Sequence, residues 1–136
     1  MTCTAEDVRR TMQQFSGGSD GRYRHPVQRN VIYTEGVREV ALLAQAYWLI
    51  DFIAAEAAPK YANAWRAGET SIGIFKLVVE GGKATTTLSL QDGVPPALQK
   101  ELPACGFPPG EWQIWLGTDP IGPDEYVTTM YLPSEH

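Results

Sequence analysis

The 136 residues predict one α+β domain, 1–136, in which a long central helix packs on an antiparallel four-stranded β-meander behind a short N-terminal helix. Three observations predict it. Thr34 to Ala58, TEGVREVALLAQAYWLIDFIAAEAA, is dominated by Ala, Leu, Glu and Gln and meets no proline until Pro59. Four later segments are apolar and β-branched or alternate with period two. The helix comes first and the strands follow in a run, which suits an antiparallel sheet laid on a helix better than alternating βαβ units.

Residues 4 to 15 read as a short helix, with Thr4 as cap, Glu6 and Asp7 in its first turn, and Val8, Met12 and Phe15 on one side. The cluster SGGSDG ends it in a loop. Arg22-Tyr23-Arg24-His25-Pro26 follows, expected to be extended because the residue before proline avoids helical torsions. Val31-Ile32-Tyr33 hands the chain to the long helix, where Thr34 caps the first turn, Glu35 faces the positive end of the dipole and Gly36 is the weak point.

Stepping about 100° per residue, Arg38, Gln45 and Glu56 share a narrow polar stripe. Val37, Val40, Ala41, Ala44, Tyr47, Trp48 and Ala55 cover the opposite side, and Asp51 falls among them. Asp51 is therefore a candidate buried carboxylate that needs donors. Its functional reading is an acid/base or ligand-binding group in a cleft. The preferred structural reading is an anchor held by the 22–29 loop, making Arg22, Arg24, His25 and Asp51 one polar network.

Tyr61 to Thr70 is a connecting loop or a helical extension. Ile72 to Glu80 and Ala84 to Leu90 are two strands joined by the tight turn Gly81-Gly82. Pro95 to Gly110, with five prolines, is an irregular excursion; Glu111 to Gly117 is the third strand, Asp119 to Asp124 a turn, and Tyr126 to Leu132 the fourth. Trp115 lies on an otherwise polar sheet face, either exposed as a contact site or covered by the proline-rich loop.

Cys3 and Cys105 have no metal spacing, the first fifteen residues are too charged for a signal peptide, and no apolar run is long enough to span a bilayer. These features predict a cytoplasmic protein with free thiols. The net charge of −5 is uneven: residues 1–38 carry +2, residues 39–136 carry −7, and beyond Lys100 six acids stand with no Lys or Arg. Such a surface suits a basic protein partner and repels nucleic acid.

The motifs Tyr23-Arg24-His25-Pro26, Tyr33-Thr34-Glu35-Gly36-Val37, Ala46-Tyr47-Trp48-Leu49-Ile50-Asp51 and Leu132-Pro133-Ser134-Glu135 together resemble family 6876 among the bacterial domains of unknown function, which occurs in chromosomes, phages and plasmids. The resemblance implies a small bacterial or mobile-element protein and no assigned activity.

No Walker loop, nucleophile elbow, HExxH or pair of CxxC motifs occurs. A triad of Ser134, His25 and Asp51 can be written, with nothing in the sequence to bring them together. In an enzyme, His25 would be the general acid or base and Asp51 its orienting partner. The alternative class, preferred here, is a non-enzymatic protein-binding accessory protein without cofactor or metal. The mobile-element context suggests an inhibitor of a host nucleic-acid-handling defence complex, of the anti-CRISPR kind. Its expected contact residues are Asp119, Asp124, Glu125 and Trp115, its partner a protein with a basic surface, with neither nucleic acid nor membrane bound directly. A homodimer through the sheet is a further possibility.

Overall fold

The computed structural model describes residues 4–14, 22–91, 93–103 and 107–135. Cys3, Phe15, the loop 16–21 and Cys105 lie outside them, as does the side chain of Ser134. Helix α1 (Ala5–Gln14) opens with a reciprocal cap: Asp7 N–H donates to Thr4 Oγ1 and Thr4 N–H to Asp7 Oδ2, each at 3.1 Å.

The expected single helix from Thr34 to Ala58 is broken. Helix α2 (Glu35–Leu43) ends in a Schellman motif, in which Ala46 N–H reaches Ala41 O at 2.8 Å and Gln45 N–H reaches Leu42 O at 3.1 Å. Gln45 takes the left-handed position at φ 53°, where glycine is usual, so composition carried no warning of the break. Helix α3 (Tyr47–Phe52) then runs through a π turn (Ile53–Ala57) into α4 (Ala58–Arg66), one rod of twenty residues that passes Pro59. Proline lacks an N–H, and its ring crowds the carbonyl four residues back, here Ala55 inside the π turn. The wider turn, marked by Ala58 N–H bonding Ile53 O, accommodates that ring without ending the helix.

The break resets the helical phase, which corrects the placement of Asp51. In the second rod Leu49, Ile50, Ile53, Ala54, Ala57, Tyr61 and Ala64 are buried. Tyr47, Asp51 and Ala55 form the solvent side, and the Asp51 side chain is 70% exposed.

The sheet also differs from a four-stranded antiparallel meander. Among the described residues seven strands form one mixed sheet: β1 (Arg22–Arg24), β2 (Val31–Thr34), β3 (Gly73–Glu80), β4 (Lys83–Ser89), β5 (Leu98–Pro103), β6 (Gly110–Gly122) and β7 (Glu125–Tyr131), in the order β1-β2-β7-β6-β3-β4-β5. Of these strands β2 and β7 pair in parallel and the other neighbours are antiparallel. Three strands lie outside the expected four: β1 and β2, read as extended connecting pieces only three and four residues long, and β5, which lies among prolines. Strand β6 extends past Gly117 through a register shift at Pro120/Gly122, leaving Pro123-Asp124 as the hairpin loop. Proline followed by a positive φ (Asp124, 60°) is the pattern of a type II turn.

Val31, Tyr33, Phe75, Leu77, Ala84, Leu88, Trp112, Ile114, Leu116 and Met130 form one buried sheet face with the helices against it. The alternate positions, among them Ile74, Lys76, Val78, Thr85, Thr87, Gln113, Trp115 and Tyr131, are half-buried on the other, more open face; Thr34 and Thr129 on that face are buried where Glu135 of the short helix Pro133–Glu135 lines a cleft. No described helix is long and apolar enough to cross a membrane.

Candidate functional site

His25 ends β1 and turns the chain back toward β2. Its N–H donates to Val31 O at 2.9 Å, closing the loop over Pro26. Its ring, 4% exposed, accepts from the backbone N–H of Gln28 at 2.9 Å and of Val27 at 3.2 Å, both at Nδ1. Two donors at Nδ1 assign the proton to Nε2, which therefore donates to Asp51 Oδ1 at 2.7 Å. A buried ring on the loop is thus tied to a mostly exposed carboxylate on the helix. Both ring nitrogens are occupied, so neither is available to take a substrate proton without breaking a bond the loop depends on.

Next to this pair Tyr23 stacks on Tyr33 at 5.6 Å, and the Arg38 guanidinium lies 5.0 Å from the Tyr23 ring. Burial first, then the neighbouring Tyr47, pushes the Tyr33 phenol up, so it stays a neutral donor. Arg24 pairs in register with Ile32 and is exposed, whereas Arg22 lines a cleft on the more open face of the sheet. Of the four residues expected as one network, His25 and Asp51 are in contact.

The cleft that Arg22 lines holds about 350 Å³ and includes Thr34, Thr118, Asp119, Thr129, Tyr131 and Glu135. Thr34 caps α2, its Oγ1 accepting from Val37 N–H at 3.3 Å, and donates to Glu135 Oε1 at 2.7 Å. The same carboxylate oxygen accepts the Leu132 N–H at 2.9 Å. Asp119 Oδ2 accepts from Thr129 at 2.6 Å, and Tyr61 OH donates to Ser71 O at 3.0 Å while bonding Thr118 Oγ1 at 2.9 Å. Burial raises the Tyr61 and Tyr131 phenols, and Asp119 adds to both shifts.

The expected contact residues occupy three places. Asp119 lies in this cleft, and Trp115 stands on the same sheet face beside Ile74, its ring edge-on to Tyr131 at 6.3 Å. Asp124 and Glu125 line a separate groove with Arg29 and Arg66. The acidic surplus after Lys100 is also smaller than it looked. Glu101 pairs with Lys83 at 3.4 Å, Glu111 with Lys76 at 3.7 Å, and Asp119 and Glu135 accept the hydrogen bonds above. The groove and its aromatic pair, Trp65 and Tyr126, escaped the sequence reading because three distant segments supply its lining. Among the described residues no group of three or more His, Cys, Asp or Glu is placed to hold a metal.

Fold and site together define a one-sheet α+β protein whose polar side chains chiefly clasp the chain ends and loops to the helices. The chain belongs to the family of unknown function DUF6876, whose family model matches residues 6–136. No curated protein and no solved structure matched the chain.

Proposed function

We propose that this is a non-enzymatic binding protein that presents the more open face of its sheet to a protein partner with a basic surface. One observation carries the reading: Ile74, Val78, Trp115 and Tyr131 reach the surface half-buried on the face of the seven-stranded sheet opposite its buried one. An aromatic and aliphatic row of this kind is what anchors an interface. Asp119 at the end of that face, with Asp124 and Glu125 at the hairpin tip, supplies the negative charge that steers a cationic partner. Occupation of both His25 nitrogens speaks against acid/base chemistry by His25 and Asp51. Competition with nucleic acid for a basic groove, as in an inhibitor of a defence complex, is the form of activity such a contact suits.

Affinity capture from the native host tests this. Partners retained by the wild type should be lost with Ile74→Asp and Trp115→Ala, and weakened at raised salt or by Asp124→Lys with Glu125→Lys, all at an unchanged melting temperature. Retention indifferent to the sheet-face variants, with His25→Ala abolishing activity at full stability, would replace this reading by an enzymatic one.

A further inference from the structure

The groove at the turn end of the β6–β7 hairpin has no part in the function proposed above, beyond the shared pair Asp124 and Glu125. It is a cavity of about 640 Å³, within the range of small-molecule sites. The turn before β2 gives it Arg29 and Asn30, the end of α4 gives Trp65 and Arg66, and the hairpin gives Asp124, Glu125 and Tyr126.

Arg29 and Arg66 make no ion pair within 4.0 Å with any described carboxylate, although Asp124 and Glu125 line the same groove. Arg66 donates only a long bond to Asn63, at 3.4 Å. Between the charges, Tyr126 packs on Trp65 at 5.1 Å and 52° yet keeps 52% of its surface exposed.

We infer that this groove binds a nucleoside phosphate. The two guanidiniums suit a phosphate, with which arginine forms paired, charge-assisted bonds. The exposed tyrosine, backed by the indole, offers a platform on which a base of any identity stacks. Asp124 and Glu125 are acceptors for ribose hydroxyls, the role a carboxylate plays in other nucleotide sites. A groove balanced at two positive and two negative charges matches a ligand that brings an anion together with hydroxyl and amino donors. Free nucleotides and the terminal nucleotide of a single strand present the same chemistry.

Calorimetric titration of the full chain with AMP, GMP, CMP and UMP tests the inference, with adenosine, inorganic phosphate, a short single-stranded RNA bearing a 5′-phosphate and a DNA duplex as further probes. At least one nucleotide should bind in the millimolar range or tighter, more strongly than adenosine or phosphate. Arg29→Ala, Arg66→Ala and Tyr126→Ala should each weaken it about tenfold or more. All three positions are exposed, so a melting temperature within error of wild type accompanies each result, and Arg29→Lys should retain part of the affinity. Trp115→Ala should leave it unchanged, which separates failure here from failure of the sheet-face reading. Preference for the RNA over free nucleotides would identify a strand end as the ligand. Phosphate binding as well as the nucleotides do, duplex preferred to both, affinity indifferent to the arginine variants, or no binding at millimolar concentration would each overturn the inference.

Discussion

Gly36 is expected to resist the substitution that helix propensity recommends. It lies in the first turn of α2, where Gly→Ala would ordinarily gain about 1 kcal/mol. A Cβ there, however, would stand 2.8 Å from Glu135 Oε1, 3.0 Å from Glu135 Cδ and 2.9 Å from Leu132 Cδ1. Neither neighbour yields readily. Leu132 is fully buried, and that carboxylate oxygen is held by Thr34 Oγ1 at 2.7 Å and Leu132 N–H at 2.9 Å. Displacing it forfeits two hydrogen bonds worth about 1 kcal/mol each in a half-buried setting. Crowding the leucine costs about 1 to 2 kcal/mol more, so after the propensity gain Gly36→Ala should lose about 2 kcal/mol.

Urea unfolding of four proteins measures this: wild type, Gly36→Ala, Glu135→Ala and the double variant. With Glu135 truncated, the two bonds are already gone and only Leu132 opposes the new methyl. Gly36→Ala should then cost about 1 kcal/mol or less, a coupling of about 1 to 2 kcal/mol. A stabilised Gly36→Ala single variant, or strictly additive costs, would show that the C-terminal segment does not lie on the start of α2.

Gln45→Gly should stabilise by about 1 kcal/mol, since glycine enters the left-handed position without a Cβ; a lower urea midpoint would refute the Schellman break. His25→Ala should cost about 3 kcal/mol, because two loop N–H groups lose their acceptor, whereas Asp51→Ala should cost only about 1 kcal/mol, its carboxylate being mostly solvated; equal losses would contradict the geometry. The Tyr61 and Tyr131 phenols are raised by burial above the ordinary 10.0, so the stability they add is whole below that pH and is lost as pH climbs through the folded values. Melting temperature should therefore fall above about pH 10, less steeply in Tyr61→Phe; an unchanged slope would rule out Tyr61 as a contributor.

The α+β class and the β3–β4 hairpin were legible because each rested on local pattern: alternation in 84–90 and two glycines, now found at φ 59° and 79°, between matching strands. The long helix was misread because its two signals worked against their usual meaning. A glutamine stands where glycine normally announces a C-cap, and a proline is absorbed by a π turn where it normally announces a stop. One wheel drawn through 34–58 then carried its phase across the break, which is how exposed Asp51 acquired apolar neighbours. The candidate site was less legible for a different reason. The partners Thr34 and Glu135 lie 101 positions apart, and the groove draws on a loop, a helix end and a hairpin, so no window of sequence contains any of them.

The family resemblance rests on four short motifs, and in the fold they meet as two pairs: His25 with Asp51, and Thr34 with Glu135. Both pairs bracket β2. The first fixes the turn through which the chain enters that strand, and the second fixes Thr34, at which the strand becomes α2. That placement answers a physical need. Strand β2 is four residues long and pairs in parallel with β7, whose partner residues lie about a hundred positions away, so little local structure holds its register. A slip of one residue would turn Val31 and Tyr33 out of the core and drive Ile32 into it. Clasps at both ends forbid the slip. His25, Asp51, Thr34 and Glu135 thus each have a structural role in holding the sheet together. The contacts proposed for the sheet face and for the groove of Arg29, Arg66 and Tyr126 use residues outside those motifs.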